Sequence, residues 1–425
     1  MHPIRFIHAA DLHLDAAFSG LSRDIPAEFA ERLRTATFTA FRRLLDLCER
    51  ESPDFLLLAG DVYNQEDASV SAQLALRDGF RRLESLSIPV FLVHGNHDPL
   101  ASRLRSVRWP GNVTVFGELP DAVPVFRKGE ETPLAIIHGA SHASGRETRN
   151  LAALFRRTEA CGLHVGLLHA TPGDADGVAR YAPFSQEDLK ASGMDYWALG
   201  HIHDRREVCR EPLAAYPGCT QGLHINEPGE KGCLLVTAEA RPDGGYAVRT
   251  SFRPLGPAVW KTLDMDLGGA ASLDELENRL RTGLDRAAAE VWSGCEMLLV
   301  RLRLQGRTEL DGLLRKGTTC AELADRLRED GSGVPRIWIK DIDVATRPCV
   351  ERGALLERED LLGEVFRLSE AARTASGLQA LREGPLAPLF AHARAGKALE
   401  PLTDEELARL LDDAESLCLE LLEND

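Results

Sequence analysis

Five apolar runs in the first half of this chain each lead into a short polar cluster, and few folds can make use of that pattern. Ile4–Ala10 runs into Asp11-Leu12-His13, Phe55–Ala59 into Gly60-Asp61, and Val90–Val93 into Gly95-Asn96-His97-Asp98. Val165–Leu168 ends at His169, and Trp197–Leu199 ends at Gly200-His201-Ile202-His203. Continuous apolar runs of this length read as strands covered on both faces, as in parallel sheets flanked by helices. Ligands at the ends of neighbouring parallel strands converge on one edge of a sheet, where open α/β proteins place their sites. Asp11, His13, Asp61, Asn96, His169, His201 and His203 together offer enough oxygen and imidazole donors for two metal ions. The pattern predicts a binuclear metallohydrolase.

The segments between the runs predict helices at Pro26–Glu51 and roughly Ser69–Leu86, each carrying an apolar stripe. Leu213–Tyr216 and Cys233–Thr237 read as strands of a second sheet, so residues 1–255 form a two-sheet α/β sandwich with the ligand loops along one rim. A boundary falls at the Pro- and Gly-containing stretch Arg253–Pro257. Beyond it, strands at Val259–Leu267, Glu296–Leu304 and Arg336–Ala345 alternate with helices at Ser272–Val291 and Cys320–Glu329. Ser272 with Glu275 reads as a capping box at the start of the first of these helices. Residues 256–347 thus make a small α+β capping domain. Residues 348–425 read as helical, with amphipathic segments at Leu355–Ala372 and Thr403–Leu422.

Composition narrows the setting. No apolar run approaches the ~20 residues of a membrane span, and the N-terminus enters a strand without a signal pattern. The nine cysteines are scattered and form no C-x-x-C pair, which fits reduced thiols in a cytoplasmic protein. The net charge of −16 runs against a nucleic-acid partner, but residues 351–425 hold 17 acidic and 8 basic residues and carry most of it. Arg32, Arg34, Arg42, Arg43, Arg77, Arg81, Arg82, Arg103, Arg105 and Arg108 fall among the early elements, either as a basic face or as ordinary solvated helix surface.

Each cluster has its own chemistry. In an extended segment residues i and i+2 face one side, so Asp11 and His13 can reach one ion. An Asp after a five-residue buried strand needs compensation, and a carboxylate bridging two cations supplies it, which singles out Asp61. The Asn96 amide oxygen suits a hard metal, and His97 is left free to act on substrate. Asp98 could accept the other ring N–H of His97 and fix its tautomer. His201 and His203 offer two imidazoles one residue apart. His138 and His142 read as structural.

Taken in order, D-x-H, G-D, G-N-H-D, a lone H and G-H-x-H resemble the signature of the calcineurin-like metallophosphoesterases. Phe6–Asp15, Tyr216-Pro217-Gly218-Cys219-Thr220-Gln221-Gly222 and Asn226–Cys233 narrow the resemblance to the SbcD-type DNA-repair exonucleases, within them to the YhaO branch. The resemblance implies an αββα sandwich with Asp11, His13, Asp61 and His203 on one metal, and Asp61, Asn96, His169 and His201 on the other. It implies Mn²⁺, while mixed oxygen and nitrogen ligands also admit Fe²⁺ or Zn²⁺. It further implies attack of a metal-bridging hydroxide on phosphorus, with His97 serving the leaving group, and an SMC-like ATPase partner bound through C-terminal helices. Two positions depart from nuclease relatives: Asn64 stands where they often carry a histidine, and Leu223 where they tend to carry an arginine.

The resulting expectation is a metal-dependent phosphodiesterase acting on DNA, with a homodimer left open. The competing readings are a phosphatase or phosphodiesterase on small molecules or phosphoproteins, and a non-catalytic scaffold. Retention of every ligand residue argues against the scaffold.

Overall fold

The computed structural model describes residues 2–21, 25–64, 70–101, 107–174, 179–242, 244–329, 333–349, 352–392 and 402–423. Arg103, Arg105 and Ser69, each part of an expectation above, lie outside the described residues. The chain forms two compact units, Met1–Thr262 with Arg286–Arg301 and Gly331–Lys340, and Leu263–Asp285 with Leu302–Asp330 and Asp341–Asp425.

The first unit opens with β1 (Ile4–Ala9), α1 (Ala27–Arg34), α2 (Ala36–Glu51), β2 (Phe55–Ala59), α3 (Val70–Ser85), β3 (Val90–Val93) and β4 (Val113–Val115). It continues with β5 (Asp121–Val125), β6 (Ala135–Ala140), β7 (Leu163–His169), α4 (Gln186–Ala191), β8 (Tyr196–Gly200), β9 (Arg206–Arg210), β10 (Leu213–Tyr216), β11 (Gly232–Ala240) and β12 (Tyr246–Pro254). Two six-stranded mixed sheets result, ordered β12-β11-β1-β2-β3-β4 and β5-β6-β7-β8-β10-β9. Strands β1 to β4 run parallel in the first sheet, and β6, β7, β8 and β10 run parallel in the second.

Alternation along the strands builds the layers. In β2, Leu56 and Leu58 pack with Phe41, Leu44, Leu76 and Phe80 of α2 and α3. Phe55, Leu57 and Ala59 face the other way and meet Val165, Leu167, Tyr196 and Ala198 of the second sheet. The far side of that sheet presents Leu168, Trp197 and Leu199 to Leu151, Phe155 and Leu189. Period-two alternation on strands buried on both faces yields helix, sheet, sheet, helix. His8 of β1 ties the sheets together: its Nδ1 lies 2.9 Å from the Tyr196 hydroxyl and its Nε2 3.2 Å from the Leu199 carbonyl.

Two expectations change here. The sequence reads Pro26–Glu51 as one helix, but it breaks at Thr35 into α1 and α2. The Thr35 hydroxyl donates to the Glu31 and Arg32 carbonyls, at 3.1 and 3.3 Å, and the break turns α1 toward other partners. Phe29 and Leu33 then join Ile225, Trp260, Met297, Leu299 and Trp338. Cys233–Thr237 was expected beside Leu213–Tyr216 in the second sheet; instead β11 pairs antiparallel with β1 in the first, Ile7 opposite Leu235.

A third sheet has the order β13-β14-β15, from Ala258–Asp266, Met297–Thr308 and Arg336–Pro348. Between these strands lie α5 (Leu273–Glu290), α6 (Asp311–Leu314) and α7 (Thr319–Glu329). The helices after β15 are α8 (Arg352–Leu356), α9 (Leu361–Ala372), α10 (Ala375–Glu383), α11 (Ala387–Ala391) and α12 (Asp404–Glu423). The expected helix at Leu355–Ala372 is divided, because the Asp360 carboxylate accepts the Gly363 N–H at 2.9 Å and starts α9 afresh.

Leu355, Leu362, Phe366 and Leu419 form a small core in the second unit, so α8, α9 and α12 pack on one another. Arg352 reaches Glu415 at 2.8 Å, while Arg373 reaches Asp412 at 2.6 Å and Glu415 at 3.1 Å. Much of the tail's acidity is thereby spent on its own arginines. No helix among the described residues is long and apolar enough to cross a membrane.

Candidate metal centre

All seven proposed ligands lie at the C-terminal ends of β1, β2, β3, β7 and β8 or in the loops just beyond. Several of these loops turn through left-handed backbone, with φ of 51° at Asp11, 42° at His13, 50° at Asp61 and 102° at His201. Non-glycine residues rarely hold such angles unless their surroundings dictate them, and they concentrate at functional sites. Gly95 and Gly200 permit the close approach. A Cβ at Gly95 would stand 2.3 Å from Asp61 Oδ1, and one at Gly200 would stand 1.8 Å from the Ala59 carbonyl oxygen.

The side chains form two groups. Donor atoms of Asp11, His13 and His203 lie within 4.8 Å of one another, as do those of Asp61, His169 and His201. Asn96 Oδ1, 3.0 Å from His169 Nε2, adds to the second group. Asp61 faces both: its Oδ2 is 3.3 Å from His169 Nε2 and 4.0 Å from His13 Nε2. Asp11 and Asp61 are each 1% exposed.

Every ligand histidine is held by its other nitrogen. His13 Nδ1 meets Asn64 Oδ1 at 2.6 Å, His203 Nδ1 meets Glu227 Oε1 at 2.5 Å, and His169 Nδ1 meets the Ala59 carbonyl at 2.9 Å. His201 is turned over, with Nε2 3.1 Å from the Ala179 carbonyl. These acceptors keep a proton on the outer nitrogen and direct a lone pair inward, the arrangement metal-bound imidazoles require. In the first group the inward Nε2 atoms of His13 and His203 stand 3.1 Å apart. Two lone pairs facing each other at that distance repel, and a cation between them removes the conflict. With buried carboxylates and mixed oxygen and nitrogen donors, the residues fit two divalent ions.

Without metal, the charges work against one another. Burial pushes the Asp11 carboxyl up to about 6 despite His169 and His203, and pushes His13 down to about 4 and His201 to about 3. Burial also opposes ionisation of Asp61, but the facing His169, His13 and His97 outweigh it and hold that carboxyl below the usual range. His169 moves the other way, to about 9, because its interaction with Asp61 overcomes burial.

His97 stands at the rim, exposed, outside both ligand groups, with its ring 5.2 Å from that of His13. Its backbone N–H donates to Asp61 Oδ1 at 2.9 Å. Asp98 does not take the role expected of it. Its carboxylate is buried and accepts the backbone N–H groups of Gly95, Asp61 and Val62 at 2.7, 3.2 and 3.1 Å, and it faces His94 rather than His97. Three backbone donors converge on one acceptor at that point, so Asp98 fixes the two metal loops relative to each other.

Sequence reasoning missed Glu227. It lies 24 residues from His203, with no periodic relation to it, and only the fold brings it there. The only signal was its place in the segment after Tyr216-Pro217-Gly218. Its carboxylate also accepts the Leu223 N–H at 2.7 Å, and its pKa falls to about 2, since the His203 hydrogen bond overcomes burial. Glu227→Ala is expected to weaken binding of one of the two ions by ~10–100-fold, the usual scale for a carboxylate behind a metal-bound histidine. Equilibrium dialysis would show one weakened and one unchanged affinity, and two unchanged affinities would contradict the assignment. His142, expected to be structural, turns its Nε2 to the His169 carbonyl at 2.6 Å, and His138 pairs with His164 at 3.0 Å.

A two-sheet sandwich whose strand ends carry two groups of carboxylate, amide and imidazole side chains, with one aspartate facing both, is the arrangement of a metallophosphoesterase. The calcineurin-like phosphoesterase family model matches residues 4–205, and the model of the metallophosphoesterase YhaO middle domain matches residues 260–347. The chain belongs to the calcineurin-like metallophosphoesterases, and within them to the YhaO type. It is 34% identical to the uncharacterized metallophosphoesterase YhaO of Bacillus subtilis over 388 residues, covering 90% of this chain and 91% of the relative. A DNA double-strand break repair protein Mre11 from Aeropyrum pernix is 26% identical over 315 residues, 68% of this chain and 69% of the relative. A solved dimetal phosphatase from Danio rerio aligns with 59% of this chain and 99% of its own, at 13% identity and a TM-score of 0.33.

Proposed function

We propose that this hydrolase is a metal-dependent phosphodiesterase acting on DNA, the nuclease subunit of a repair complex with an SMC-like ATPase. The observation that carries the phosphodiester chemistry is Asp61, buried between two ligand groups whose histidines are already fixed in the ligating tautomer. The two candidate groups would hold two divalent ions, for which Mn²⁺ is our assignment, and when bound these would supply a lowered water pKa and charge neutralisation at the phosphoryl oxygens. The chain's own part is to hold the ligands, to aim them through Asn64, Glu227 and the backbone carbonyls, and to place His97 at the rim where it can give a proton to the leaving oxygen. Likeness to the Mre11 proteins supports DNA as the substrate.

The tail supports the partner. Leu355, Leu362 and Leu407 are buried, whereas Leu361, Leu368, Leu410, Leu417, Leu421 and Leu422 remain 42–65% exposed. Such leucines on α9 and α12 would suit a coiled-coil partner. One observation favours a smaller phosphodiester instead. Asn64 is engaged with His13, and Arg32, Arg34, Arg43, Arg77 and Arg82 are each paired with a carboxylate, which reduces the positive charge those five arginines offer a DNA backbone.

The full chain with Mn²⁺ is expected to shorten end-labelled duplex or single-stranded DNA, and to co-purify with an SMC-like ATPase subunit co-expressed with it. Replacing Leu410 and Leu417 by Glu should abolish co-purification and leave hydrolysis intact. Cleavage of bis-(p-nitrophenyl) phosphate with no cleavage of DNA would favour the small-substrate reading.

A further inference from the structure

We propose that Cys219, Glu227 and His203 form an inhibitory site for a thiophilic divalent cation, sharing His203 with the first ligand group. A ring nitrogen of His203, the Cys219 Sγ and a Glu227 carboxylate oxygen lie within 4.8 Å of one another. The backbone fixes the thiol there. The Cys219 N–H donates to the His203 carbonyl at 3.2 Å, and the Cys219 carbonyl accepts the Gly232 N–H at 3.1 Å. Gly218, at φ +81°, lets the two segments pass so closely that a Cβ on it would stand 2.7 Å from the His203 carbonyl oxygen. The thiol is buried, while the His203 and Glu227 side chains are 31% and 21% exposed, and an ion can enter past them.

The donor set decides which ion. The two ligand groups of the catalytic centre contain oxygen and nitrogen only, which suits Mn²⁺; a thiolate, an imidazole and a carboxylate together select zinc or cadmium. Binding displaces the Cys219 thiol proton and the Nδ1 proton that His203 gives to Glu227, both released to solvent, with no change of oxidation state. Glu227 then no longer holds the His203 N–H, and the imidazole is drawn from its inward pose. Filling this site therefore opposes the ion held by Asp11, His13 and His203, and by linkage that ion opposes the thiophilic one. Nothing in the catalytic centre uses Cys219, and a serine there would follow the same backbone path.

The test is a Cd²⁺ titration of the full chain and of Cys219→Ser. The wild type should develop a thiolate-to-cadmium charge-transfer absorbance that the variant lacks. Mn²⁺-supported hydrolysis of bis-(p-nitrophenyl) phosphate should be equal in the two, and the half-inhibitory Cd²⁺ concentration should be ~10-fold or more higher in Cys219→Ser. X-ray absorption at the cadmium edge of the wild type, at one equivalent, should show one sulfur neighbour, a readout independent of both the variant's folding and the activity. A cadmium shell of oxygen and nitrogen alone, or equal absorbance and inhibition in both proteins, would overturn the proposal.

Discussion

Asp61→Asn is expected to strip the protein of both metal ions and, with them, of hydrolysis. One Asp61 oxygen faces the two ligand groups, at 3.3 Å from His169 Nε2 and 4.0 Å from His13 Nε2, so its charge serves two cations at once. Asn keeps the shape and removes the charge. Leaving buried opposite charges uncompensated typically costs ~3–5 kcal/mol. That corresponds to a loss of about 10²–10⁴-fold in metal affinity. Metal analysis after dialysis should find about two ions per wild-type chain and close to none in the variant. Retention of both would rule out Asp61 as the shared ligand.

His97→Ala should separate chemistry from metal binding. The His97 backbone N–H, which the substitution keeps, makes the hydrogen bond to Asp61, and its ring belongs to neither ligand group. Both ions should stay while the rate falls ~10²–10⁴-fold, the range for a positioned general acid. The loss should depend on the leaving group: severe for an alkoxide that needs a proton, mild for p-nitrophenolate, which does not. An equal loss for both would exclude proton donation, and loss of metal would make His97 a ligand.

The convergence of the candidate ligands was legible because each sits directly after a buried strand, and strand ends are among the few places where sequence proximity predicts spatial convergence. The layers were legible for a related reason, since an apolar run such as Phe55–Ala59, too short for a helix and bounded by Pro53 and Gly60, reads as a strand covered on both faces. Contacts between segments distant in sequence were not. Asp98 lies next to His97 in the chain, yet its carboxylate turns to backbone donors from another loop. Cys233–Thr237 has the composition of either sheet, and only pairing with β1 decides between them. The break at Thr35 comes from a side-chain hydroxyl competing for helix carbonyls, which periodicity does not register. Glu227 had only its place in the motif segment after Tyr216-Pro217-Gly218, which does not say what it touches.

The ligands come from both sheets: Asp11, His13, Asp61 and Asn96 follow strands of the first, and His169, His201 and His203 end or follow strands of the second. An ion held by either candidate group would therefore cross-link the two sheets, adding to the His8–Tyr196 contact and the packed Phe6, Phe55 and Tyr196 rings. Mass action then ties folding to metal supply. An ion at about one hundred times its Kd adds about 2.7 kcal/mol per site to the folded state. For a fold whose whole stability is on the order of 5–15 kcal/mol, two such ions would make metal scarcity a threat to the scaffold as well as to its chemistry.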